Sequence, residues 1–195
     1  MMPRDRCFKA LAAARGDAIV VSRYSAAFEW GAIAPHALNY FAIGAMGQCS
    51  SFALGLALAL PQHKIIVLDG DGSLLMNLGS LVTIAAAEPK NLVHFVCENG
   101  NYEVNGGHPI PGQGRVSFAE IARGAGYPEV FEFDDLAAFA ENVPALLSLA
   151  GPVFATLKLA KAGELEVAFS ERGDADMCRR FKEALVPLIR GRDGR

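Results

Sequence analysis

The sequence predicts a doubly wound α/β fold, a mainly parallel sheet flanked by helices on both faces. Three observations predict it. Lys64–Leu68, Asn91–Cys97 and Val153–Leu159 are short, nearly continuous apolar runs, as strands buried on both faces require. The segments between them are longer and rich in small and apolar residues, which suits helices crossing from strand to strand. Leu68-Asp69-Gly70-Asp71-Gly72-Ser73 lies directly after one strand and before a helix. That is where open α/β sheets bind ligands.

In chain order, residues 1–15 read as an amphipathic helix, followed by a strand over Asp17–Val21. A small-residue helix, Gln48–Leu60, leads into the strand Lys64–Leu68. A further helix, Leu74–Ala87, is expected to stop at Glu88-Pro89, because proline disfavours helical backbone in the residue before it. After the strand Asn91–Cys97 comes a glycine- and proline-rich loop, Gly100–Gly114. Its length exceeds what compact domains ordinarily use, and such loops are often functional. A helix near Phe118–Gly124, a strand near Val130, a helix over Asp134–Leu149 and the strand Val153–Leu159 complete the alternation. Ala160–Asp174 has no clear period, and Ala175–Val186 reads as a terminal helix halted near Pro187. The expected organisation is one domain over residues 1–160 with an arm and helix at 161–195.

Composition narrows the function classes. The 195 residues are 52% hydrophobic and 20% charged, a balance that supports a packed core. A formal net charge of -3 offers no surface built to neutralise a phosphate backbone, so nucleic acid is not an expected partner. Cys7, Cys49, Cys97 and Cys178 are scattered and form neither a CxxC pair nor a disulfide framework, which fits a reduced, cytoplasmic setting. The most apolar stretch, Phe52–Leu60, falls far short of the roughly 20 residues that span a bilayer. No membrane span and no secretory signal are expected.

The chemistry concentrates at Gly70–Ser73. Gly70 and Gly72 let the backbone turn sharply and approach a ligand, and the amides that open the next helix suit a phosphate. Asp71 would repel a bare phosphate, so a cation between them is expected, and Mg2+ bridges carboxylate and phosphate oxygens. Taken alone, the tetrapeptide also suits an Asp-Gly turn satisfying its own backbone. The next strand runs out into Glu98-Asn99-Gly100-Asn101-Tyr102, and if the two strands are neighbours Asn99 reaches the same ion.

Gly70-Asp71-Gly72, then twenty-five residues, then Glu98-Asn99 resembles the thiamine diphosphate motif. The resemblance implies thiamine diphosphate and Mg2+ as cofactors. It implies the Asp71 and Asn99 side chains and the Asn101 carbonyl as metal ligands, and Gly70, Gly72 and Ser73 at the diphosphate. Tyr102 and Val104 would line the cofactor. Gly44-Ala45-Met46-Gly47 resembles the loop that faces the aminopyrimidine ring, with Met46 propping the bent cofactor and the Gly44 carbonyl accepting from its amino group. As a residue alone, Met46 equally suits core packing.

More narrowly, residues 43–60, 68–79, 91–109 and Arg179-Arg180-Phe181 resemble the sulfopyruvate decarboxylase β subunit and the C-terminal part of phosphonopyruvate decarboxylase. Two departures stand out. Glu98 replaces the usual Asn or Asp, a position not expected to disturb the metal. Asn105-Gly106-Gly107-His108-Pro109 replaces a usual Thr-Gly-Gly-Gln-Pro, which marks Asn105 and His108 as candidate catalytic residues. The resemblance implies a cofactor-binding β subunit of a 2-oxo acid decarboxylase acting on an anionic substrate such as sulfopyruvate or phosphonopyruvate. A carboligase or synthase, a 2-oxoacid oxidoreductase subunit and a non-catalytic cofactor-binding subunit are the alternatives. The family's activating glutamate belongs to a pyrimidine-binding domain that these residues do not supply. An α-subunit partner in a hetero-oligomer is therefore expected, with the chain inactive alone.

Lesser signals complete the reading. Arg23, directly after the first strand, suits either a phosphate or substrate anion, or a solvated surface position. His108 suits anion binding or proton transfer, or a loop position capping backbone groups. His94 reads as a satisfied interior residue, His36 and His63 as surface residues, and Arg179-Arg180 as facing solvent or a partner.

Overall fold

The computed structural model describes residues 1–42, 44, 46–161 and 175–193. Helix α1 (Arg4–Ala14) precedes strand β1 (Ile19–Ser22), helix α2 (Tyr24–Ile33) and strand β2 (Asn39–Phe41). Helix α3 (Cys49–Ala59) leads to β3 (Ile65–Gly70), the short α4 (Asp71–Leu75), α5 (Gly79–Ala87) and β4 (Leu92–Glu98). A small hairpin follows: β5 (Asn101–Tyr102), a 3-10 turn (Glu103–Asn105) and β6 (His108–Pro109). Then come α6 (Phe118–Ala125), β7 (Glu129–Phe133), α7 (Leu136–Ser148), β8 (Val153–Lys158) and α8 (Ala175–Asp193).

Six parallel strands form the sheet in the order β2-β1-β3-β4-β8-β7. The apolar runs became its interior: β1 is buried throughout, and β3, β4 and β8 are buried except at their last residue. Each face has its own core. On one, Cys7, Phe8 and Leu11 of α1, Trp30 of α2 and Phe139 and Val143 of α7 cover the sheet. On the other, Ala53 and Ala57 of α3, Leu81 and Ile84 of α5, and Phe118 and Ala122 of α6 do so. The chain leaves β1 towards β2, then returns to place β3 on the other side of β1. That reversal is the switch point at which doubly wound sheets open a crevice beyond the strand ends.

Three expectations about elements are corrected. The sequence reading passed over α2 and β2. No side chain caps α2, whose first residue, Tyr24, has φ 42, and β2 has three residues, so neither carries an ordinary start or length signal. The single helix over Leu74–Ala87 is two helices, because Asn77 leaves the helical path and donates from Nδ2 to the Gly47 carbonyl at 2.9 Å. Pro187 does not end the last helix. Like Pro144 in α7, it sits on an exposed side, where water can serve the carbonyl left without an amide partner. The arm expected after residue 160 lies almost wholly outside the described residues, while Phe181 of α8 packs against Tyr40 of β2 at 5.1 Å.

Candidate cofactor site

One cavity opens where the carboxyl ends of β1, β3 and β4 meet. Arg23, Tyr24, Ser25 and Ala26 border it after β1, Gly70 to Ser73 after β3, and Asn99 and Asn101 to Val104 after β4, with Met46 beside them. Of the expected cofactor residues, Met46, Gly70, Asp71, Gly72, Ser73, Asn99, Asn101, Tyr102 and Val104 all line it. Gly44 does not; its carbonyl accepts a hydrogen bond from the Tyr24 hydroxyl at 2.8 Å. Asn105 and His108 are also outside the lining, exposed on the hairpin whose other strand, β5, does line it.

Asp71 is the buried carboxylate of the cavity, 2% exposed. Its Oδ1 accepts from the Gly72 amide and its Oδ2 from the Gly100 amide, both at 2.7 Å, so the β3 and β4 loops close on one carboxylate. Burial pushes its pKa up to about 6 against the pull of those amides. A neighbouring cation would reverse that shift. Asn99 and Asn101 bring neutral oxygens to the same place, the Asn99 Oδ1 also accepting from the Asn101 amide at 2.8 Å. Among the described residues no group of three or more His, Cys, Asp or Glu side chains forms a metal cluster. One carboxylate with amide and carbonyl oxygens is instead the donor set of a hard ion that shares its shell with a phosphate ligand. The residues present fit Mg2+ with a diphosphate.

The two glycines of the turn serve different ends. A Cβ at Gly72 would lie 2.4 Å from Tyr102 Cε1 and 3.1 Å from Ile110 Cγ2, so its lack of a side chain lets the hairpin pack. Gly70 has φ -95, and a Cβ there would meet nothing nearer than Ser73 Cβ at 4.0 Å. No described residue requires glycine at 70; close approach of a ligand would. Ser73 Oγ accepts from the Gly47 amide at 3.0 Å, which leaves its own proton to donate. With the Asn77 tether, this ties the loop before α3 to the turn after β3.

Several features were not legible in the sequence. Arg4, 6% exposed, lines the cavity with Nε on Glu29 and Nη1 on Glu103 at 2.8 Å, a pairing over 99 residues of sequence that only the fold creates. Cys97 also lines it, and burial pushes its thiol well up, away from nucleophilic character. Glu98 turns to β8, where Lys158 Nζ meets both carboxylate oxygens at 2.8 Å, so the substituted charge is paired outside the cavity lining. His94 is buried as expected but not satisfied. Neither ring nitrogen has a hydrogen-bond partner among the described residues, and Asp69 Oδ2, 3.8 Å from Nε2, is too far. The other Asp69 oxygen is taken by the Gly70 amide at 2.9 Å, while the ring packs edge-on against Phe154. His36 is exposed and His63 half-buried.

Residues 20–157 match the thiamine pyrophosphate enzyme family in its C-terminal TPP-binding domain, and the chain belongs to that family. Its relatives narrow the class. It is 35% identical over 143 residues to the sulfopyruvate decarboxylase subunit beta of Methanothermobacter thermautotrophicus, covering 73% of each chain. It is 34% identical over 145 residues to the phosphonopyruvate decarboxylase of Streptomyces viridochromogenes, where 74% of this chain matches 36% of that one. Among solved structures, the thiamine diphosphate-dependent 4-hydroxybenzoylformate decarboxylase of Rhodococcus jostii superposes with a TM-score of 0.71 at 21% identity, over 83% of this chain and 33% of that chain. At that identity the likeness shows the fold alone.

Proposed function

We propose that this chain is the cofactor-holding β subunit of a thiamine diphosphate- and Mg2+-dependent 2-oxo acid decarboxylase whose substrate carries a second anionic group, as sulfopyruvate and phosphonopyruvate do. One observation carries the reading. Buried Asp71 lines one cavity with Asn99 and Asn101 beside Gly70, where a side chain would meet no neighbour nearer than 4.0 Å and a ligand could approach closely. Asp71, Asn99 and the Asn101 carbonyl would hold the ion; Gly70, Gly72 and Ser73 would offer space, amides and a hydroxyl to the diphosphate. Met46, Tyr102 and Val104 would pack along the cofactor and exclude water. When bound, thiamine diphosphate supplies the electron sink that lets CO2 leave a 2-oxo acid. Asn105 and His108, on the adjoining hairpin, are the candidates to meet substrate once a partner covers the site.

The partner would be an α subunit bearing the pyrimidine-binding domain and its activating glutamate. The relative from Methanothermobacter is itself called a subunit beta, and Met76 and Val82, large and apolar, stand exposed after the turn that Asp71 begins. Calorimetric titration of the chain with thiamine diphosphate is the test. Binding should appear with Mg2+, vanish with excess chelator and be lost in Asp71→Ala. Equal affinity with and without divalent ion would reject the site.

A further inference from the structure

We infer that Arg23 is a second anchor for the cofactor, a fixed guanidinium after β1 that takes an oxyanion of the diphosphate in the cavity that Asp71 also lines. The inference rests on the proposed cofactor site and adds to it a residue outside the segment from Gly70 to Asn101. Arg23 is 3% exposed, yet it borders the cavity directly after β1. Its Nη1 donates to the Ala42 carbonyl at 2.6 Å, and its plane lies over the Tyr24 ring with Cζ 4.6 Å from the centroid. Those two contacts fix the fork. Nε and Nη2 are buried and have no hydrogen-bond partner among the described residues.

A buried guanidinium with idle donors is costly unless something negative completes it. Among the described residues no carboxylate does so. The cavity's other arginine, Arg4, is held by Glu29 and Glu103, so its charge is balanced within the protein. Arg23 is in no described ion pair, and it is the N-cap of the ten-residue α2, whose opening amides no side chain caps. Charge and amides together favour a multiply bonded anion, and a planar fork matches tetrahedral phosphate geometry. A Mg2+ held by Asp71 would leave negative charge on the diphosphate for Arg23 to meet.

A tetrahedral oxyanion exists on the cofactor and on a sulfonate or phosphonate substrate alike. The depth of Arg23 and its place across the β1–β3 switch point from Gly70 favour the cofactor. The experiment separates the two sources and uses the full chain. Arg23→Gln and Arg23→Lys are titrated with thiamine diphosphate, inorganic pyrophosphate and thiamine in Mg2+, with melting curves as a check on folding. Arg23→Gln should weaken diphosphate and pyrophosphate binding by roughly ten- to a hundred-fold, the contribution of charge-assisted hydrogen bonds, and leave thiamine binding unchanged. Arg23→Lys keeps the charge without the fork and should fall between, which covers the case in which the glutamine variant folds poorly. Wild-type affinity for pyrophosphate in both variants overturns the inference. So does an unchanged diphosphate affinity with a raised substrate KM in the partner-reconstituted enzyme. Failure of the wild-type chain to bind any diphosphate would instead overturn the proposed function.

Discussion

At the scale of residues, Gly70 and Gly72 separate what the fold needs from what the proposed ligand would need. Both stand in one turn, yet only Gly72 is pressed by Tyr102 and Ile110. Gly72→Ala should therefore push the hairpin away and lower stability by about 1 to 3 kcal/mol, as overpacking does, in a urea titration. Gly70→Ala should fold within about 1 kcal/mol of wild type, since an alanine tolerates its φ and meets only ordinary contacts. It should nevertheless lose most thiamine diphosphate affinity. A Gly70→Ala chain that binds normally would contradict a close approach at that position. Asp71 and Asn99 were legible as a pair because both follow apolar strand runs and resemble one motif, and the sheet sets those strands side by side. The Arg4 pairing was not, because Glu29 and Glu103 are brought to it only by α2 and the hairpin.

At the scale of elements, the site depends on joints between helices and strands. Asn91, at the entrance to β4, donates from Nδ2 to the carbonyls of Ala57, Leu60 and His63 at 3.2, 2.9 and 2.7 Å. It thereby closes the end of α3 against the strand that carries Asn99. Asn91→Ala would leave those carbonyls without their side-chain donor and should lower stability by roughly 2 to 3 kcal/mol. Thermal unfolding measures it, and a loss below about 0.5 kcal/mol would contradict the joint. The core strands were readable from sequence because burial on both faces leaves a continuous apolar run. The break between α4 and α5 was missed although Asn77 and Gly79, both poor helix formers, stand at it; the Gly47 carbonyl that holds Asn77 is brought there only by the fold. For α2 the missing signal is a capping residue; its place at the N-cap is taken by Arg23.

At the scale of the molecule, a parallel sheet with its switch point between β1 and β3 gathers three loops around one cavity, and most of that plan is written in strand order and motif spacing. What spacing could not convey is which surface remains to be covered. Met76 and Val82 are exposed beyond the cavity, and Gly44 offers its carbonyl to Tyr24. No helix among the described residues is long and apolar enough to cross a membrane. A large, apolar partner interface is the proposed cover, since permanent interfaces of that kind resemble a divided core. The direct measurement is CO2 release from sulfopyruvate or phosphonopyruvate, with thiamine diphosphate and Mg2+, by the chain alone, by its co-expressed pyrimidine-domain partner alone and by the two together. Activity should require both chains and disappear when Asp71→Ala replaces the wild type. Full decarboxylation by the isolated chain, verified free of partner, would contradict the divided-site reading.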